Sequence, residues 1–221
     1  MVVERFFLVH ILAVSDITIP FIYSPQVRNK YGDIDFVISC GDLPYHYLEY
    51  IISSIDKPLY FVRGNHDPLE EYGAAGPRKC PHGGTDLHRR VIKRCGVLFA
   101  GVEGSLRYKR NGCFQYTQRE MWRNVFTLLP GVFRNRFLYG RYLDVFVTHA
   151  SPWDIHDKPD LPHQGIKAFR WFIHVFQPAY HFHGHVHVYR PDTVTETQFG
   201  LTKVLNAYGY RDLVLELSDQ R

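Results

Sequence analysis

Short apolar runs, each closing on a small or polar residue, recur along the chain. Phe6–Val14, Asp35–Ser39, Leu59–Val62, Val97–Gly101, Leu143–Thr148 and Ala179–Phe182 are rich in Val, Ile, Leu and aromatic residues. Each ends near Gly, Asp, His or Ser. Runs of this length predict buried sheet strands that feed loops, and Leu213–Leu217 predicts a final strand. Three intervening segments predict helices: Tyr45–Ser54 after Pro44, Gln118–Leu129 ahead of Pro130-Gly131, and Gly165–Phe176 ahead of Pro178. Proline cannot continue a helix, which sets the last two stops. Alternation of strand and helix predicts a layered α/β or α+β fold. Glu70–Thr85, with four glycines and two prolines, is expected to form a long surface loop.

Composition changes this picture little. The 221 residues are 45% hydrophobic and 22% charged, which excludes disordered and collagen-like classes and allows a core without disulfide staples. The four cysteines, Cys40, Cys80, Cys95 and Cys113, form no CxxC pair and are expected to be reduced thiols in a cytoplasmic protein. The apolar opening Phe6–Val14 is interrupted by His10 and runs straight into Ser15-Asp16, so it is read as a first strand rather than a leader. No stretch reaches the roughly 20 apolar residues of a membrane helix, and no membrane partner is expected. The net charge of +4 favours anionic ligands weakly.

Five segments at predicted strand ends carry the chemistry. They are Ser15-Asp16-Ile17-Thr18, Gly41-Asp42, Gly64-Asn65-His66-Asp67, Thr148-His149 and His183-Gly184-His185-Val186-His187. Singly, each is a common sequence. Together they supply carboxylate, amide and imidazole donors, which suit divalent manganese, iron, zinc or similar ions. Strand ends on one edge of a sheet converge on one crevice, so these donors can meet.

This ordered set resembles the calcineurin-like metallophosphoesterase family over most of the chain, from residue 16 to residue 187. The resemblance implies an α/β (α+β by some schemes), four-layer sandwich of two mixed β-sheets flanked by helices. It would occupy residues 1–221 as one domain. It also implies two divalent metal ions: Asp16 and His187 on the first, Asn65, His149 and His185 on the second, and Asp42 bridging them. His66 would protonate the leaving oxygen of a phosphate-ester substrate while water is activated between the ions. A carboxylate can bridge because it has two oxygens, and Asn65 adds a neutral oxygen donor. A histidine titrates near neutrality and suits a general acid.

Two positions depart from the family pattern. Thr18 stands where members usually carry a histidine ligand, which predicts weaker binding or a changed metal preference at the first metal position. Tyr45 stands where many members carry an aspartate beside the catalytic histidine, and it cannot supply that charge. Asp67 is the carboxylate next in sequence to His66 and a candidate substitute. His163, in the polar stretch Thr148–Gly165, is a further candidate for touching substrate. His156 is a weaker one, and His181 and His183 are expected to be packed. The glycine pair of Gly83–Arg90 is read as an ordinary loop rather than a phosphate rim.

Residues 107–142 carry eight basic residues against Glu120 alone, interleaved with aromatics. That pattern fits single-stranded nucleic acid, but an amphipathic helix with inward aromatics and solvated arginines is the preferred reading. The leading function is hydrolysis of a phosphodiester or phosphomonoester. The rivals are a catalytically weakened scaffold that binds a protein, and a nuclease or nucleic-acid-binding protein.

Overall fold

A computed structural model describes residues 6–73 and 76–218. In chain order the strands are β1 (Phe6–Ser15), β2 (Phe36–Ser39), β3 (Leu59–Phe61), β4 (Glu71–Gly73), β5 (Gly76–Arg78), β6 (Gly84–Asp86), β7 (Arg90–Arg94) and β8 (Val97–Val102). They continue with β9 (Ser105–Leu106), β10 (Gln115–Tyr116), β11 (Val145–Thr148), β12 (Tyr180–His183), β13 (Glu196–Phe199), β14 (Thr202–Asn206) and β15 (Gly209–Ser218). The helices are α1 (Gln26–Tyr31), α2 (Tyr45–Ile55), α3 (Gln118–Phe126), α4 (Leu129–Tyr139) and α5 (Lys167–Phe176).

One sheet runs β15-β1-β2-β3-β6 and the other β13-β14-β12-β11-β8-β7. Both are mixed. β1, β2, β3 and β6 are parallel with β15 antiparallel at the edge, and β8, β11, β12 and β14 are parallel between antiparallel β7 and β13. Side chains alternate across each strand, and the alternation divides the interior into three cores. Val9, Ile11 and Ala13 of β1 meet Phe99, Val145 and Val147 between the sheets. Leu12 and Val14 turn the other way, onto Val27, Tyr31, Leu48 and Ile51 of α1 and α2. Leu98 and Phe146 likewise face Met121, Val132 and Phe169 of α3, α4 and α5. The layers are therefore helix, sheet, sheet, helix. Strands covered on both faces read as continuous apolar runs, which is why the inner strands stand out in the sequence.

Several expectations need correction. Gln118–Leu129 is not one helix stopped by Pro130. α3 ends at Phe126, and Pro130 lies in the first turn of α4, where its missing N–H costs no hydrogen bond. Thr117 and Glu120 close the start of α3 as a reciprocal capping box. The segment Glu70–Thr85 is not all loop: β4 pairs with β5, and Gly84–Asp86 extends the first sheet beside β3. No helix of the described residues is long and apolar enough to cross a membrane. All four cysteines are free.

Candidate metal centre

All five chemical segments follow the C-terminal ends of parallel strands. β1 leads to Asp16, β2 to Asp42, β3 to Asn65 and His66, β11 to His149, and β12 to His185 and His187. Within each sheet, neighbouring loops are tied by main-chain bonds, with Asp16 N–H donating to the Gly41 carbonyl in the first and Gly184 N–H to the His149 carbonyl in the second. Asp16, Asp42 and His185 hold positive φ angles of 68°, 57° and 66°. Three non-glycine residues strained in the left-handed region within one cleft mark a place where surrounding contacts dictate the backbone. Glycine is required at Gly64 and Gly184. A Cβ there would lie 2.0 Å from Asp42 Oδ1 and 1.9 Å from Ser15 Oγ respectively.

His149 is fully buried at the centre. Its Nδ1 lies 2.7 Å from the Cys40 carbonyl, so that nitrogen carries a proton. Its Nε2 faces Asn65 Oδ1 at 3.0 Å and Asp42 Oδ2 at 3.3 Å. An imidazole lone pair and two oxygens cannot face one another without a cation among them. In the ion-free protein that cation is a proton. Burial lowers the His149 pKa, but the Asp42 carboxylate outweighs it and holds the group at about 9. Burial likewise raises Asp42, but the charge and hydrogen bond of His149 and the His66 N–H bring it to about 2. A divalent ion would replace this proton.

His185 completes the group. Donor atoms of Asp42, His149 and His185 all lie within 4.8 Å of one another. Two imidazoles, a carboxylate and the neighbouring Asn65 oxygen form a donor set suited to a divalent ion. His185 Nε2 bonds the Pro162 carbonyl at 2.7 Å, the type of outer contact that fixes a ligand imidazole. Burial and then the His149 charge lower its pKa to about 3, so it is neutral, as a ligand must be.

Asp16 and His187 lie to one side. His187 Nε2 is 3.8 Å from Asp16 Oδ1, and both Asp16 oxygens accept the His185 N–H. Burial raises the Asp16 pKa, an effect that the His149 charge opposes. Thr18 is exposed. His66 is exposed too, with its backbone N–H donating to Asp42 Oδ1 at 2.7 Å. It lines a cavity of about 260 Å³ with Asp42, Asp67 and Glu71.

Asp67 is buried, and its oxygens accept the backbone N–H groups of Gly64, Asp42 and Leu43 at 2.7, 3.1 and 3.1 Å. It thus ties the second and third loops together. Burial and then the Asp42 charge raise its pKa to about 7. Tyr45 is buried with its hydroxyl on the Lys79 carbonyl, while Glu71 accepts the Tyr45 N–H. His163 packs its ring 5.2 Å from His185 and bonds Asp160. His181 and His183 are fully buried, as expected, and His156 bonds His183.

Sequence reasoning passed over Tyr108, whose hydroxyl accepts from Asn65 Nδ2 at 3.1 Å, and Tyr189, whose hydroxyl lies 2.7 Å from His187 Nδ1. Neither belongs to a motif. Of the basic aromatic segment, Trp122 packs on Trp171 as an inward face predicts, whereas Phe126 and Phe133 touch Trp171 and Phe176 but remain 49% and 55% exposed. Phe137 departs from that pattern and is 88% exposed.

Over 175 residues the chain is 26% identical to uncharacterized protein MJ1162 of Methanocaldococcus jannaschii, covering 74% of each. Its fold is similar to that of TT1561 of Thermus thermophilus, with TM-score 0.62 and 14% identity over 96% of this chain and 99% of the other. It is also similar in fold to GAP50 of Plasmodium, with TM-score 0.51 and 10% identity over 90% of this chain and 71% of the other. The profile of calcineurin-like phosphoesterases matches residues 9–189. The chain belongs to this calcineurin-like phosphoesterase family, a family of metal-dependent enzymes that typically bind divalent ions.

Proposed function

We propose that this chain, acting as one catalytic domain, hydrolyses a phosphate monoester or diester at a centre for two divalent ions. Asn65, His149 and His185 would hold one ion, Asp16 and His187 the other, and Asp42 would serve both. The observation that carries this reading is the convergence of Asp42, His149 and His185 donors within 4.8 Å at the strand ends.

When bound, divalent ions supply Lewis acidity to phosphoryl oxygens and lower the pKa of water. The protein's own residues do the rest. Asp67 fixes the loop that carries Asp42 through its three backbone bonds. The Cys40 and Pro162 carbonyls orient the rings of His149 and His185. With only two carboxylates among six ligands, the loaded centre is cationic and attracts an anionic ester. His66 stands at the cleft's mouth with its main chain held on Asp42, and it gives a proton to the departing oxygen as the phosphorus–oxygen bond breaks.

The test is turnover of bis(p-nitrophenyl) phosphate with added manganese, in wild type and in His66→Ala. Turnover that falls in the variant, on the order of 100-fold or more, supports the reading. One observation favours a second reading, a scaffold that binds a protein partner: Thr18 leaves the first metal position without the family's histidine. Absence of turnover in wild type, unchanged by His66→Ala, would favour that alternative.

A further inference from the structure

We infer that the Tyr108 hydroxyl is a positioning group for Asn65, accepting the amide N–H so that the oxygen can face a metal with no buried donor left unpaired. The inference rests on the assignment of Asn65 as a ligand. It concerns a residue outside the family's motifs.

The amide of Asn65 has two unlike ends. Its oxygen can bind a cation and its nitrogen cannot. Oδ1 faces His149 Nε2 at 3.0 Å, and Nδ2 donates to the Tyr108 hydroxyl at 3.1 Å. Asn65 is only 6% exposed, so bulk water does not readily take over from a lost partner. With Tyr108 present, the inward-facing oxygen leaves no orphaned donor behind. The flipped amide would turn its N–H groups toward the cation position, where they repel any positive charge.

The latch is itself held. Tyr108 lies between β9 and β10, and the backbone N–H groups of Tyr108 and Lys109 both donate to Gln115 Oε1, at 3.2 and 3.0 Å. Gln115 is 4% exposed, which makes it a fixed anchor. Tyr189 makes a similar bond to His187 Nδ1, but it is 76% exposed, so water replaces its hydroxyl easily. A large effect is therefore confined to Tyr108.

A carboxylate at position 65 would need no such latch, because both its ends are oxygens. This separates positioning from mere packing. The experiment titrates the ion-free protein with manganese(II) alone and reads free manganese by electron paramagnetic resonance. The proteins are wild type, Tyr108→Phe, Asn65→Asp and the double variant. Tyr108→Phe should weaken the tighter site about tenfold, and by under about twofold in the Asn65→Asp background. Thermal unfolding of the ion-free proteins checks that the ring substitution preserves the fold. An unchanged affinity in Tyr108→Phe, or an equal loss in both backgrounds, overturns the inference alone. A wild-type protein that binds no manganese overturns both the ligand assignment and the inference.

Discussion

The backbone N–H of His66 donates to Asp42 Oδ1, while Asp42 Oδ2 faces His149 3.3 Å away. One carboxylate therefore holds the His66 loop and forms part of the donor cluster. Asp42→Asn should separate these tasks badly, because its NH2 group must confront either the His66 N–H or the His149 ring. It also removes the charge that holds His149 at about 9. Manganese affinity should fall on the order of 100-fold, with phosphodiesterase turnover falling alongside. Retained affinity in a metal titration would remove Asp42 from the centre.

Thr18 offers a gain-of-function test. It is exposed, two residues after the buried Asp16 carboxylate, and a protonated hydroxyl is a poor ligand. Wild type should bind one ion tightly and a second weakly, with the Asp42–His149–His185 position filled first. Thr18→His should tighten the second event about tenfold and leave the first unchanged. Two equally tight ions in wild type would show that the threonine costs nothing.

Gly64 tests how closely the loops approach. An added Cβ would meet Asp42 Oδ1 at 2.0 Å and His149 Cε1 at 2.6 Å. The main chain cannot easily retreat, because Gly64 N–H is bonded to Asp67 Oδ2 at 2.7 Å. Gly64→Ala should cost about 1–3 kcal/mol in urea unfolding and abolish tight metal binding. At Gly73 the nearest atom to an added Cβ is 3.5 Å away, so Gly73→Ala should stay within about 0.5 kcal/mol of wild type. Equal effects in the two variants would refute the close-approach argument.

The inner strands are legible in sequence because burial on both faces makes them uninterrupted apolar runs, as in Val145–Thr148. The motif residues are legible because they follow those runs directly. Strands at the sheet edges are not. β7 reads Arg-Val-Ile-Lys-Arg and β13 reads Glu-Thr-Gln-Phe, and half-exposed edge positions tolerate charge and polarity. α1 spans six residues, too few for a helical period to emerge. Tyr108 is hidden for another reason: its partner lies 43 positions away, and a tertiary hydrogen bond leaves no periodic trace. Likewise nothing local marks Asp67 as a tie between loops rather than a neighbour of the His66 ring.

His88 lies outside the candidate metal centre and should make stability depend on pH. Burial holds its pKa at about 4, with Asp86 raising it and Arg63 lowering it further. Its Nδ1 accepts the Glu103 N–H at 3.1 Å, and its Nε2 lies 3.3 Å from Glu103 Oε1. The folded protein therefore keeps His88 neutral well below the ordinary value of 6.5. As pH falls through the ordinary value toward the folded one, the unfolded chain gains a proton that the native state refuses. Stability is full above the unfolded pKa and is lost on acidification. The loss from this group is roughly 1.4 kcal/mol between about pH 7.5 and 5.5. His88→Gln presents an oxygen and an N–H without titrating. Urea unfolding of the ion-free variant should show a smaller drop across that interval than wild type, by about that amount. Identical drops in the two proteins would mean that His88 takes up its proton as readily in the fold as in the open chain.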